Sequence, residues 1–320
     1  MEAVLAQRFG TWTSLGAGFR ALGHNAGDSL IGAAGSDASD DEWLLMGGFD
    51  IKIVQDIGRR PPEFWRRVRD RCRALVGIVN HRHPGLDTCA AFSLIATAFP
   101  HQVDEIATVV PCRYLPCAFD PRHLGLRVDG AGSHEDAFVA GAARPWAARD
   151  YPVTFCGSLG HGNVWDAGTH AMSAVAERVP GFAWWGPKVG PVGEALDRTW
   201  RGEAYGRAYV EILGRSRLAL NRQGSTTLRH TTNMRNFEAT GMGALLVTEA
   251  SDNLAALFDP WAECATYSNP ADLALTVARL LGDPAYAERI AAAGQARTLR
   301  SHTYARRAEV LADWCAGLLA

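Results

Sequence analysis

The stretch richest in groups that could do chemistry runs from Asn221 to Glu249 and is crowded with hydroxyls, amides and guanidinium groups. Arg222, Arg229 and Arg235 lie in or beside a loop that follows an apolar run and leads into a helix expected to begin near Thr232. A helix N-terminus with free N–H groups and nearby guanidinium forks suits a diphosphate, which is doubly charged and needs fixed donors. Lys188 is a further cation within the same half of the chain. Glu238, one turn into the helix, would repel phosphate but accept bonds from neutral hydroxyls, so a ribose diol is its natural partner. The same residues also fit a plainer arrangement: an N-capped helix with a solvated arginine face and an Arg235–Glu238 pair at i,i+3.

Such groups need elements to hold them, and the sequence supplies two sets. Residues 3–6 read as a first strand, followed by a turn at residues 10–14 and a helix from Leu15 to Leu22 that Gly23 stops. Short apolar runs then recur at Phe49–Val54, Ala74–Val79, Phe92–Ala96 and Cys112–Leu115, with a helical pattern from Pro62 to Arg73 that puts Phe64, Trp65 and Val68 on one face. From Asp120 to Pro152 the pattern dissolves into Gly, Ala, Pro and charged residues, which reads as a linker. Alternation restarts with strands at Val153–Cys156, Phe182–Gly186, Leu218–Asn221, Ala244–Val247 and Ala265–Tyr267. Helices are expected at Ala167–Arg178, Ala271–Leu281 and Ala305–Leu319. Strand and helix alternation marks βαβ units and parallel sheets, so the expected class is α/β with two Rossmann-like domains facing each other across a cleft. The domains are expected at residues 1–145 and 146–320, the last helix crossing back to brace the first.

Composition narrows the function classes. Lys and Arg number 32 against 34 Asp and Glu, so no global field attracts nucleic acid or an acidic membrane. No run of 18 apolar residues and no basic leader occurs, which points to a cytoplasmic protein without a membrane span. Seven scattered cysteines, odd in number and never at two-residue spacing, read as reduced core residues. Asp37, Asp40 and Asp41 read as a solvated loop rather than a metal site, since no strand precedes them, and no metal ligand set is assigned. A dinucleotide fingerprint after a strand is absent, which argues against a dehydrogenase.

Asn221, Arg235-Asn236-Phe237-Glu238-Ala239 with Gly241 and Gly243, Leu245 to Glu249, Leu257-Phe258, Tyr267 to Pro270, Leu273 and His302 to Arg307 together resemble the C-terminal domain of CgeB-like glycosyltransferases of the spore-maturation type. That group is related to the group-1 glycosyltransferases of GT-B fold. The resemblance covers about Val153 to Leu318. Phe49 to Gln55, Val76 to Asn80, Ala98 to Pro100 and Leu115 to Pro121 are similar, more weakly, to the same group's N-terminal half.

The resemblance implies that the donor is a nucleotide-diphosphate sugar bound to the C-terminal domain, with no other cofactor. Glu238 would hold the ribose, Tyr267 and Asn269 would lie near the base, and Gly157 and Ser158 would approach the diphosphate. Retaining group-1 enzymes carry a second glutamate eight positions before the first, where this chain has His230. Their diphosphate-clamping Arg and Lys after the domain's first strand are replaced here by Ser158, His161 and Asn163, so the cationic role passes to Lys188, Arg222 or Arg235. The acceptor, a glycan, protein or small molecule, would meet the N-terminal half, where Trp12, Asp56 and Asn80 to His83 follow expected strands. An inverting transfer needs a general base there, with His81 the first candidate and Asp56 the second. No metal is needed if arginines and helix dipoles neutralise the leaving diphosphate. A non-catalytic binding protein of the same fold and a nucleotide-sugar epimerase remain the alternatives.

Overall fold

All strand pairings in this computed structural model, which describes residues 11–26, 42, 44–55, 57–125, 144–224 and 228–320, are parallel. The strand expected at residues 3–6 and most of the expected linker lie outside the described residues. The chain divides into two compact units, and the described part of one comprises residues 11–117 with 304–320. In chain order it holds α1 (Thr11–Ala21), β1 (Phe49–Gln55), α2 (Pro62–Arg69), β2 (Cys72–Val79), α3 (Leu86–Cys89), β3 (Leu94–Thr97), α4 (Val103–Ala107) and β4 (Cys112–Tyr114). The sheet order is β1-β2-β3-β4. Six successive residues of β2, Ala74 to Val79, are buried, as a strand covered on both faces requires. Helix α2 starts on Pro62 and buries Phe64, Trp65 and Val68, the face its periodicity marks, while Trp65 donates to the Ile57 carbonyl at 2.7 Å. Helix α1 already begins at Thr11, where a turn is expected, and ends before Gly23, whose φ of +85° suits only glycine without strain.

The C-terminal helix, Tyr304–Leu319, joins this first unit and packs on α1 and β2. Gly18 makes the approach possible, because a Cβ there would lie 2.6 Å from that of Ala308. Arg73 donates to the Leu319 carbonyl at 2.7 Å, and Arg113 stacks on Trp314 at 5.2 Å.

The second unit spans residues 118–303. It contains β5 (Tyr151–Cys156), α5 (Asp166–Arg178), β6 (Phe182–Trp185), α6 (Glu194–Thr199), α7 (Gly206–Gly214), β7 (Ser216–Leu220), α8 (Arg235–Gly241), β8 (Leu245–Glu249), α9 (Leu254–Leu257), β9 (Ala265–Tyr267), α10 (Pro270–Gly282) and α11 (Pro284–Ser301). Its sheet order, β6-β5-β7-β8-β9, reverses direction between β5 and β7. Open parallel sheets bind ligands outside the carboxyl ends of the strands at such a reversal. The core runs from Val153 and Phe155 of β5 through Leu218, Leu245 and Val247 to Leu273, Val277 and Ile290 of the covering helices.

Residues 118–120 pack with this second unit, earlier than the boundary near residue 145 that composition suggests. The Phe119 amide donates to the His302 carbonyl at 2.8 Å, and its ring fills the space left by Gly241, where a Cβ would lie 2.4 Å away.

Candidate functional site

Asn221 directly follows β7 at the reversal point and is fully buried. Its side-chain amide donates to Asn236 Oδ1 at 2.8 Å and Thr248 Oγ1 at 3.1 Å, its oxygen accepts from Arg235 Nη1 at 2.8 Å, and its carbonyl accepts from the Tyr267 hydroxyl at 2.9 Å. Asn236 bonds onward to Thr231, which also receives Gln223 Nε2 at 2.8 Å. A buried network satisfied in this way is rigid, and it fixes the Arg235 guanidinium. That guanidinium stacks on Phe155 at 4.9 Å and fills the place of a Gly157 side chain, whose Cβ would lie 2.7 Å from Nη2.

Arg222 follows directly and is buried. It stacks on Trp165 at 4.3 Å, donates to the Ser158 carbonyl at 3.1 Å and lies over Gly168 of α5, where a Cβ would be 1.8 Å from its Cδ. Burial, and then the charge of Arg235, push its pKa down to about 10. Two like charges raise each other's cost in a low-dielectric site unless an anion joins them. Among the described residues no carboxylate pairs with either arginine, and both Nε atoms are buried without a hydrogen-bond partner.

Glu238 is buried and points its carboxylate at α7, where the Tyr209 hydroxyl donates to Oε2 at 2.6 Å. Burial raises its pKa, opposed by the Tyr209 bond and by Arg235. The plainer arrangement, an Arg235–Glu238 ion pair on a solvated face, is therefore not what forms. The helix start expected near Thr232 is also corrected, because α8 begins at Arg235. Its first amides are already used: Arg235 N donates to Asn233 Oδ1, Asn236 N to the Asn233 carbonyl, and Phe237 N and Glu238 N to the Met234 carbonyl. The guanidinium groups, not helix amides, supply the positive donors here.

The other sequence candidates separate. Gly157 and Ser158 stand at the end of β5 against Arg235 and Arg222. Lys188 is committed to Asp197 at 2.5 Å and to the face of Trp200 at 4.1 Å. Tyr267 turns its hydroxyl inward to Asn221, and Asn269 caps α10 by accepting from Asp272 N. Arg229 pairs with Asp252 on the surface, and half-buried His230 follows two positive-φ residues, Leu228 and Arg229. In the first unit, His81 is exposed and bonded through Nδ1 to the Arg82 carbonyl at 2.6 Å. His83 is a loop brace, accepting from Gly85 N and meeting Glu105 at 3.2 Å. Asp56, the Trp12 side chain, Asp37, Asp40 and Asp41 lie outside the described residues. Three contributors escape sequence reasoning, namely Tyr209, Trp165 and Gly168. Only Gly168 leaves a signal, a glycine inside a helical pattern.

Residues 161–313 match the family model described as glycosyl transferase-like. No curated protein matches the sequence. Among solved structures, a sucrose-phosphate synthase from Thermosynechococcus elongatus is 11% identical with a TM-score of 0.57, the match covering 84% of this chain and 73% of that one. Anabaena HepE, solved in complex with UDP and glucose, is 12% identical at 0.57 over 84% and 78%. A UDP-forming α,α-trehalose-phosphate synthase from Burkholderia vietnamiensis is 12% identical at 0.55 over 83% and 71%. The fold is GT-B, two Rossmann-like parallel-sheet units, and its second unit carries a glycosyl transferase-like region.

Proposed function

We propose that the chain transfers a sugar from a nucleoside-diphosphate sugar to an acceptor nucleophile, with the donor held by the second unit. The observation that carries this reading is the pair Arg222 and Arg235 at the sheet reversal, cationic, with no carboxylate partner among the described residues and with unpartnered Nε atoms. A diphosphate supplies the missing charge. Its oxygens would meet guanidinium donors already positioned, so stabilisation grows as the glycosidic bond breaks and charge collects on the leaving group. Glu238, ionised, would accept from the ribose hydroxyls. The structurally similar HepE, solved with UDP and with UDP-glucose, supports uracil as the base.

Within this class the motifs around Arg235–Ala239 and His302–Arg307 support the CgeB-like subtype. The first unit would take the acceptor, with His81 or Asp56 as general base. Chemistry would need no metal, since two arginines can carry the leaving charge. Seven free cysteines fit a cytoplasmic location, and no helix of the described residues is long and apolar enough to cross a membrane.

Thermal shift and calorimetry with UDP, GDP and ADP test the donor, because a ligand at 100 times its Kd stabilises by about 2.7 kcal/mol. Binding of one diphosphate and release of UDP from UDP-sugar, undiminished by EDTA, is the expected result. Failure to bind any nucleoside diphosphate would sink the reading, and binding without turnover would leave a binding protein.

A further inference from the structure

The loop between β5 and α5, together with the first turns of α5, carries a group of side chains that the donor site does not use. His161, Asp166 and His170 each present one ligand atom, and all three atoms lie within 4.8 Å of one another. His161 Nδ1 is 2.9 Å from Asp166 Oδ1, and His170 Nδ1 is 3.5 Å from Asp166 Oδ2. The two imidazoles meet edge to face with centroids 4.5 Å apart. Asp166 opens α5 and His170 lies four residues on, so helical spacing stacks them, while Gly162, at φ +76°, turns the loop so that His161 returns to the same carboxylate.

We infer that His161, Asp166 and His170 form a binding site for a divalent transition metal ion of the zinc type. Two imidazole nitrogens and one carboxylate oxygen are a borderline-soft set that favours Zn²⁺, Co²⁺ or Ni²⁺ over Mg²⁺ and Ca²⁺, which prefer all-oxygen shells. Zinc bonds of 2.0–2.2 Å put tetrahedral ligand atoms about 3.3–3.5 Å apart. The 2.9 Å between His161 Nδ1 and Asp166 Oδ1 is near that value, and the His170 ligand atom, within 4.8 Å of both, comes in by rotation of its exposed ring. The side chains are 31%, 45% and 60% exposed, so an ion reaches them from solvent. An orienting bond is in place as well: Gly162 N donates to Asp166 Oδ1 at 3.1 Å, while His170 Nδ1, bonded to the Asp166 carbonyl at 3.0 Å, would exchange that bond for the ion. A cation at a helix N-terminus opposes the helix dipole, so the Asp166 charge is indispensable to the site.

Three protein ligands leave at least one coordination position open. The ion would tie the loop to the start of the helix, beside Trp165. It takes no part in the sugar transfer proposed above.

Titration of the intact protein with Zn²⁺ by calorimetry, and with Co²⁺ by visible absorption, tests the site without any activity assay. The expected result is one ion per chain and a tetrahedral Co²⁺ spectrum. Affinity should fall at least tenfold in His170→Ala and further in Asp166→Asn, with circular dichroism unchanged. Wild type without stoichiometric binding, or equal affinity in wild type and both variants, overturns the proposal by assigning the ion elsewhere or nowhere.

Discussion

Lys52 and Arg307 in the first unit are buried as deeply as Arg222 in the second, yet their cations are spent differently. Lys52 donates to the carbonyls of Leu44 and Met46, and Arg307 to those of Pro116 and Cys117 at 2.8 and 3.0 Å. Lys52 thereby ties neighbouring backbone to the sheet, and Arg307 ties a loop to the C-terminal helix. Arg149 in the second unit likewise bonds backbone, the carbonyls of Arg144, Ser216 and Met242. Arg222 and Arg235 instead rest on aromatic faces and glycines, with Nε atoms left over. Burial of a cation alone therefore says nothing about ligands. Unused donors beside a second cation do.

The sharpest way to break this contrast is at Arg235. Arg235→Ala should lower kcat by about 100-fold or more, and Arg235→Lys nearly as much, because lysine keeps the charge but loses the planar fork. Steady-state kinetics with UDP-sugar measures both, and turnover close to wild type in either variant would reduce Arg235 to a structural residue like Arg307. The converse test is Arg307→Met. It strands buried carbonyls and should cost about 2 kcal/mol of stability in denaturant unfolding, with UDP affinity unchanged.

Gly168→Ala sharpens the contrast from the other side. Alanine in a helix interior ordinarily stabilises by about 1 kcal/mol, but here its Cβ would displace the Arg222 side chain. UDP affinity should fall about tenfold in calorimetry while the protein stays folded. The smallest effect concerns Glu238. Burial raises its folded pKa above the unfolded value, so the folded state holds its proton more tightly and stability falls as pH rises from the ordinary carboxylate range to that raised value. Ribose binding wants the ionised form, so UDP affinity should climb through the same window. Glu238→Gln should flatten both profiles and bind UDP roughly fivefold more weakly at neutral pH. Parallel profiles in the two proteins would remove Glu238 from the site.

How much of this could be read in the sequence depends on distance along the chain. Parallel strands buried on both faces appear as apolar runs, so Ala74–Val79 and Val153–Cys156 were legible from composition. Helix α11 was not, because the residues it buries, Ala287, Ile290, Ala291, Gly294 and Thr298, are mostly small and leave no strong stripe. Arg222, Arg235 and Glu238 were legible by residue type. Their supports were not, since Tyr209 reaches Glu238 across 29 residues and no local spacing encodes that meeting. The expected free amides failed for a local reason, as Asn233 and Met234 form a turn that uses them before the helix begins.

The C-terminal helix has a consequence for synthesis. The first unit is interrupted by the 186 residues from 118 to 303, so a ribosome finishing Cys117 has not yet made the helix that covers α1 and β2. At about 5–20 residues per second that helix follows roughly ten to forty seconds later. The described residues of the second unit all come from one later stretch, 118–303, and have no such wait. The half translated later is therefore the half that completes its fold first, and the exposed face around Gly18 is where a nascent-chain chaperone would be found in the interval.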